Sequence, residues 1–473
     1  MVMLENTHAS TGRRQVDSLR TGSAGDNDPR PTGRPLLRSR TETVSNTPSI
    51  QEPSTQLNLM KTSAILLALL PGIAAAQFAL HDGDRVVFYG DSITDQRFYT
   101  FYTEAFVRTR FPKLKVSFVH SGWGGDRVTG GGGGDVDTRL TRDVLAYHPT
   151  VVTSMLAMND AGYRPFDQGL FDTYSKGYQH IVDRLKTEDP GVRITLILPS
   201  PYDDVTRKPN FEGGYNSVLL KYGDFLKDLA GRSGATTADL NGPVVAMLEK
   251  AKAENPELAQ KLIPDRVHPG DAGHLTMAES LLKSWNAPSL VSSVEIDSGK
   301  LGPVDAARVS DLTSGTAGLS WTESESALPF PLDLSNAGIK LVTDSSDFVS
   351  ALDQENLKVT GLTGNYNLII DGKTVRSISA DDLSAGVNLA TLDTPMKAQA
   401  SRVVSLVRER EEAHNQMWRT YMTGWMFGGE KAAENQKKDV MKALDRYADA
   451  LEAELRKEAQ PVSHKFQLVP VTG

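Results

Sequence analysis

The chain predicts an α/β fold in which a parallel sheet is covered by helices on both faces. Three observations carry that expectation. From residue 84, short β-branched runs alternate with amphipathic stretches. At 473 residues the chain has ample material for a buried core and for two or three domains. The residue types able to do chemistry cluster just after the apolar runs, where open α/β sheets carry their ligand sites.

The first strand is expected over Arg85 to Tyr89, an apolar run too short for a helix and ended by Gly90-Asp91-Ser92. Further strands are expected over Lys115 to Val119, Thr150 to Leu156, Arg193 to Leu198 and Ala235 to Asp239. Between them, amphipathic spacing predicts helices near 97–110, 137–146, 168–187, 212–232 and 243–254. A last helix near 271–285 closes the pattern. Ser92, the Gly-rich stretch after Val119, Asn159 and Tyr202 then all lie at the carboxyl ends of strands.

Composition narrows the chemistry. A net charge of -8 gives no general electrostatic case for binding nucleic acid. With no cysteine there is no disulfide, thiolate nucleophile or zinc-thiolate site. Catalysis would have to use oxygen or nitrogen groups, or a bound cofactor.

Residues 1–59 are rich in Ser, Thr, Pro, Gly and Arg without sustained apolar periodicity, so they are expected to be disordered. Met60-Lys61-Thr62-Ser63 then leads into the apolar stretch Ala64 to Leu70, and small residues end at Ala74-Ala75-Ala76. A short positive region, an apolar core and an Ala-x-Ala site make a secretory signal peptide over 60–76. On this expectation translation starts at Met60, and the mature chain begins near Gln77, secreted or periplasmic. A buried helix or membrane anchor is the alternative, but the run is short for a bilayer span.

A serine hydroxyl is a poor nucleophile at neutral pH; it needs a histidine within hydrogen-bond reach and a carboxylate to orient that histidine. Gly90-Asp91-Ser92 and Asp265-Arg266-Val267-His268 supply all three residue types. Two more blocks lie between them, Gly122-Trp123-Gly124-Gly125-Asp126 and Ala157-Met158-Asn159-Asp160. Four blocks in this order, across roughly residues 84–286, resemble the SGNH or GDSL hydrolase superfamily. The resemblance implies a flavodoxin-like three-layer α/β/α sandwich and ester or thioester hydrolysis without a cofactor or metal. It makes Ser92 the nucleophile, His268 the general base and Asp265 its orienting partner. The oxyanion donors would be the backbone N–H groups of Ser92 and Gly125 and the amide of Asn159, fixed dipoles aimed at developing charge. A glycine at 125 permits positive φ and close backbone approach. Activity should fall in acid, because a protonated His268 cannot accept the Ser92 proton.

Two positions depart from the family pattern: Ala157 stands where the third block usually has glycine, and His120 where relatives often have asparagine. His120, at a strand end, is expected to be a hydrogen-bonded structural residue. Among other histidines, His148 and His180 lack a carboxylate three residues upstream, whereas His274 follows Asp271 and His414 follows Glu411. Spacing alone therefore does not single out His268; the following Pro269, matching the family block, does. Asp271 with His274 is expected to open the last helix, and Asp91 and Asp160 to brace loops or cap helices.

The run Gly130 to Gly134 lacks the following Lys-Ser/Thr of a phosphate loop and is expected to border the pocket as a flexible loop. After the fourth strand, Tyr202, Asp203 and Arg207 could contact substrate or only build the turn. Residues 77–288 are thus assigned to the hydrolase domain. Residues 289–393 show alternating runs, such as Leu357 to Thr360 and Tyr366 to Ile370 before Asp371-Gly372, and are expected to form a small β-rich accessory domain. Residues 394–473 are expected to be a helical C-terminal segment, with Trp418, Tyr421, Trp425 and Phe427 in its core. The expected function is secreted deacylation, of acetyl groups above all, from carbohydrate or other small esters. No nucleic-acid partner and no stable membrane insertion after signal cleavage are expected. A lipid-directed esterase or thioesterase, or a polysaccharide-binding protein with an inactive hydrolase domain, are the alternatives.

Overall fold

The computed structural model describes residues 77–423 and 434–471. The expected disordered segment 1–59, the signal peptide 60–76, Trp425 and Phe427 lie outside those residues.

Five parallel strands build the first sheet: β1 (Arg85–Gly90), β2 (Ser117–Gly122), β5 (Val151–Met155), β6 (Arg193–Leu198) and β7 (Thr236–Asp239), in the order β2-β1-β5-β6-β7. Their runs of Val, Ile, Phe and Leu are buried because helices cover both faces. Those helices are α1 (Ser92–Asp95), α2 (Phe98–Arg110), α3 (Val136–Asp143), α4 (Gln168–Glu188), α5 (Gly214–Ser233), α6 (Gly242–Glu254), α7 (Pro256–Leu262) and α8 (Asp271–Ser284). This is the expected α/β/α sandwich. The strand order reverses direction beside β1, so the loops leaving β1 and β5 part and open a crevice at the strands' carboxyl ends. Rather than a loose loop, the glycine run is a tight hairpin, β3 (Gly130–Gly131) and β4 (Gly134–Asp135), and Asp135 caps α3.

Two further sheets follow. One is antiparallel, in the order β10-β11-β16-β13-β14, from β10 (Ala307–Gly315), β11 (Gly318–Glu325), β13 (Asn365–Ile370), β14 (Lys373–Ser379) and β16 (His464–Pro470). The other runs β15-β12-β8-β9, from β8 (Leu290–Asp297), β9 (Lys300–Asp305), β12 (Gln354–Thr360) and β15 (Val387–Asn388), with β8 and β12 parallel. Asp371 (φ +49°) and Gly372 (φ +78°) turn β13 into β14, the positive-φ hairpin turn that the Asp-Gly signal predicts. Trp321 stacks on Phe466 at 5.3 Å inside this part's core, alongside Val294, Ile296, Leu357 and Leu368.

Two expectations need correction. Within the β-rich stretch, α9 (Ala337–Ser345) and α10 (Phe348–Leu352) bury Ile339, Val342, Phe348 and Leu352 in the hydrolase core, while α11 (Ala380–Ala385) precedes β15. These helices are short and carry β-branched residues, so the alternating pattern around them masked their period. The C-terminal segment is not helical throughout. Helix α12 (Pro395–Gln416), a π-helical turn (Met417–Met422) and α13 (Glu434–Glu458) are followed by β16, which inserts between β11 and β13. Helix α12 lays Met396, Ala400, Val403 and Val407, spaced three and four apart, on the β core. The described residues therefore form one compact unit.

Candidate active site

The turn that carries Ser92 is built by capping. Asp91 accepts from the Ile93 N–H at 3.0 Å, starting α1 so that Ser92 sits in its first turn. Helix α1 lies so close to β2 that a Cβ on Gly122 would overlap the backbone of Asp95; only glycine fits there. Burial pushes the Asp91 carboxyl up to about 7, against the Ile93 N–H, with Asp160, Asp126 and Asp95 adding to the rise.

The loop before α8 brings His268. Asp265 Oδ1 accepts from the N–H groups of Val267 (3.0 Å) and His268 (2.7 Å), closing a tight turn in which Arg266 has φ +73°. The turn aims His268 between its partners. Its Nδ1 is 2.7 Å from Asp265 Oδ2, and its Nε2 is 2.7 Å from Ser92 Oγ. Partial burial would raise the Asp265 carboxyl, but the N–H groups and the imidazole outweigh it and hold the carboxyl below its usual range. With side chains 34% and 54% exposed, His268 and Asp265 are reached by solvent, so this pair is screened and its value is orientation more than stability.

The loops after β2 and β5 carry the candidate donors Gly125 and Asn159. Gly125 has φ +79°, and among the described residues neither its N–H nor that of Ser92 has an acceptor. Asn159 donates one amide hydrogen to the Asp126 carbonyl (3.0 Å) and accepts from the Tyr163 hydroxyl (3.1 Å), which fixes the amide and leaves its second hydrogen. Asp160, pushed up to about 7 by burial, accepts the Val128 N–H and braces the same loops. Ala157 is fully buried at φ +149°, a conformation that suits glycine better than alanine.

Ser92, Asp95, Gln96, Pro264, Asp265, His268, Pro269 and Gly270 line an open cleft of about 590 Å³. Asp95 and Gln96 were not singled out by the sequence pattern, although their helical spacing from Ser92 is a usable signal. Gln96 donates to the Pro269 carbonyl (3.2 Å) and pairs with His274 Nε2 (3.1 Å), tying the end of α1 to the His268 loop and α8. His274 is buried, pushed down to about 3 by that burial, and accepts the Tyr99 N–H, a structural histidine.

The proposed substrate contacts behave differently. Asp203 has no exposed surface; it accepts from Val205, Thr206 and Arg207, and its N–H donates to the Arg266 carbonyl. Arg207 donates to the carbonyls of Gln260, Ile263 and Pro264. Both brace the loop before α8, and neither lines the cleft. Tyr202 is nearly buried, packed edge-on against Tyr215 and under the Arg266 guanidinium. His120 is also remote in role: buried, it bonds Thr100 (2.7 Å) and Glu104 (3.2 Å). Among the described residues no group of three or more His, Asp or Glu could hold a metal ion.

Residues 88–275 match the GDSL-like lipase/acylhydrolase family. An acetylxylan esterase of Geobacillus stearothermophilus is 26% identical over 219 residues, 42% of this chain and 93% of that protein. A solved structure described as a gut microbial diltiazem-metabolizing enzyme superposes with a TM-score of 0.74 at 26% identity, over 84% of this chain and 99% of its own. That likeness extends well past the family-matched residues. A solved acetylxylan esterase from Geobacillus stearothermophilus, 24% identical, covers 44% of this chain and 96% of its own with a TM-score of 0.35. Through residues 88–275 the chain carries a GDSL-like domain of the SGNH hydrolase superfamily, and it is a carboxylic ester hydrolase.

Proposed function

We propose that the protein is a secreted serine esterase that removes acetyl groups from carbohydrate esters. The observation that carries the mechanism is the 2.7 Å contact of His268 Nε2 with Ser92 Oγ, with Asp265 on the other ring nitrogen at 2.7 Å. Ser92 Oγ attacks the ester carbonyl while His268 Nε2 takes its proton. The carbonyl oxygen becomes an oxyanion between the N–H groups of Ser92 and Gly125 and the Asn159 amide. Collapse breaks the bond to the alcohol, which leaves with the proton from His268, and the acetyl group remains on Ser92. Water, deprotonated by His268, then attacks that acyl group; acetate departs and Ser92 recovers its proton. Asp265 keeps Nδ1–H directed and stabilises the imidazolium throughout.

The substrate side rests on the cleft and on likeness. An open cleft walled by Asp95, Gln96, Asp265 and His268 suits a small acyl group on a polar alcohol better than a long apolar chain, which requires an apolar channel. The acetylxylan esterase relative supports the same direction. Secretion rests on the sequence of residues 60–76. Among the described residues no helix is long and apolar enough to cross a membrane.

The test is hydrolysis of p-nitrophenyl acetate, a long-chain p-nitrophenyl ester and acetylated xylan by the chain from Gln77 and by its Ser92→Ala variant. Acetate release from xylan that vanishes in the variant supports the reading. Preference for the long-chain ester would replace carbohydrate with lipid, and no Ser92-dependent release would remove the catalytic assignment. N-terminal sequencing of the secreted protein checks the start near Gln77.

A further inference from the structure

We infer that Arg419, on the π-helical turn after α12 and outside the family-matched residues, is a positioning residue for the oxyanion loop. The C-terminal segment would then complete the active site rather than decorate it. The inference rests on the serine-esterase reading above.

The contacts run in one continuous chain. Arg419 Nη2 pairs with Asp95 Oδ2, and that same oxygen accepts the N–H of Gly124 at 3.1 Å. Gly124 immediately precedes Gly125, whose N–H faces the cleft in this reading. The guanidinium also lies 3.8 Å from the centroid of the Trp123 ring, on the residue before Gly124. One side chain thus stacks on the loop's aromatic residue and holds the carboxylate that receives its next N–H. Trp418 backs it from beneath: its buried ring meets Trp123 edge-on at 5.7 Å, and its Nε1–H donates to Asp143 at 2.7 Å. On the other flank of the nucleophile turn, Arg97, held at φ +63°, pairs with Glu412 of α12 at 3.1 Å.

Electrostatics gives the arrangement a consequence. Asp95 lines the cleft with Ser92, so an unpaired carboxylate there would oppose the negative charge that develops on the ester oxygen. Arg419 neutralises it and, by its planar fork and stacking, fixes its direction, which a lysine point charge does less well. Without Arg419 the Gly124 contact loosens and the Gly125 donor loses its aim. A misplacement of about 1 Å costs roughly 100-fold in rate.

The experiment is a double-mutant cycle in the full chain from Gln77, using Arg419→Ala, Asp95→Ala and the pair, with p-nitrophenyl acetate kinetics and thermal unfolding. Arg419→Ala is expected to lower kcat about 10- to 100-fold with KM within about threefold, since the loss is confined to the transition state. The double variant should be no slower than Asp95→Ala alone. Millimolar guanidinium should restore part of the rate to Arg419→Ala but none to the double variant. Arg419→Lys, which keeps the charge but not the planar fork, serves should the alanine variant fail to fold, and its kcat should fall more than about threefold below wild type, though less than that of Arg419→Ala. A kcat within twofold of wild type in folded Arg419→Ala or Arg419→Lys, or effects that multiply in the double variant, would overturn the inference. Ser92→Ala run alongside separates the two claims: if it retains activity, the serine mechanism itself fails, whatever Arg419 does.

Discussion

Truncating Asn159 to alanine isolates one donor of the proposed oxyanion hole. The amide makes two protein contacts, to the Asp126 carbonyl at 3.0 Å and from the Tyr163 hydroxyl at 3.1 Å. Each is worth about 0.5–1.5 kcal/mol net, and Tyr163, 46% exposed, recovers its loss from water. Stability should therefore fall by only about 1–2 kcal/mol. Catalysis should fall further, because removing one oxyanion donor costs about 2.7–4 kcal/mol, or 100- to 1,000-fold in kcat. Tyr163→Phe removes the amide's anchor and leaves its donor, so its kcat should stay within about fivefold of wild type, less than a full donor is worth. The assay is p-nitrophenyl acetate hydrolysis at saturating substrate, paired with urea unfolding to count folded protein. A folded Asn159→Ala enzyme with kcat within threefold of wild type would refute the donor role. So would a Tyr163→Phe enzyme as slow as Asn159→Ala.

Two other perturbations address stability. At Ala157, φ +149° stores about 1–3 kcal/mol of strain, whereas glycine there costs about 0.5–1 kcal/mol of chain entropy and one buried methyl worth about 0.8 kcal/mol. Ala157→Gly should thus lie between about 0.8 kcal/mol less and about 1.7 kcal/mol more stable by urea unfolding; a loss of about 2 kcal/mol would show an unstrained site. In the β part, Glu355 is fully buried near Glu325, pushed up to about 8, and Glu323 and Asp353, each pushed up to about 7, with burial the main cause in all. The folded form keeps protons that the unfolded chain releases above the ordinary carboxyl range, so these groups lower stability as pH rises from about 5 to 8. Glu355→Gln should gain on the order of 1–3 kcal/mol over wild type at pH 8 and little at pH 5, read by urea unfolding at both; an equal loss at both would contradict the protonated cluster.

What the sequence made legible was local. The five parallel strands and the Asp371-Gly372 hairpin carry their own periodicity and turn chemistry, and Asp265 meets His268 three residues on, within one turn. Capping explains Asp91 and the start of α1, both visible in Gly90-Asp91-Ser92. Less legible were the features set by distant packing. Nothing near His464 announces that β16 will slot between β11 and β13, and nothing near Arg419 announces Asp95, 324 residues away. For Asp203 and Arg207 the sequence left two roles open, substrate contact or building the turn. Here the backbone of the loop before α8 needed partners for its carbonyls, and the Arg207 side chain and the Asp203 backbone N–H supply them.

The central claim is that Ser92 is the activated nucleophile, and covalent trapping tests it most directly. Incubation with a fluorophosphonate, followed by peptide mass spectrometry, should place one phosphonyl group on Ser92 and abolish ester hydrolysis in step with labelling. His268→Ala should label far more slowly, because the hydroxyl loses its base. A fully inhibited enzyme labelled at another residue, or activity that persists with Ser92 fully modified, would contradict the account.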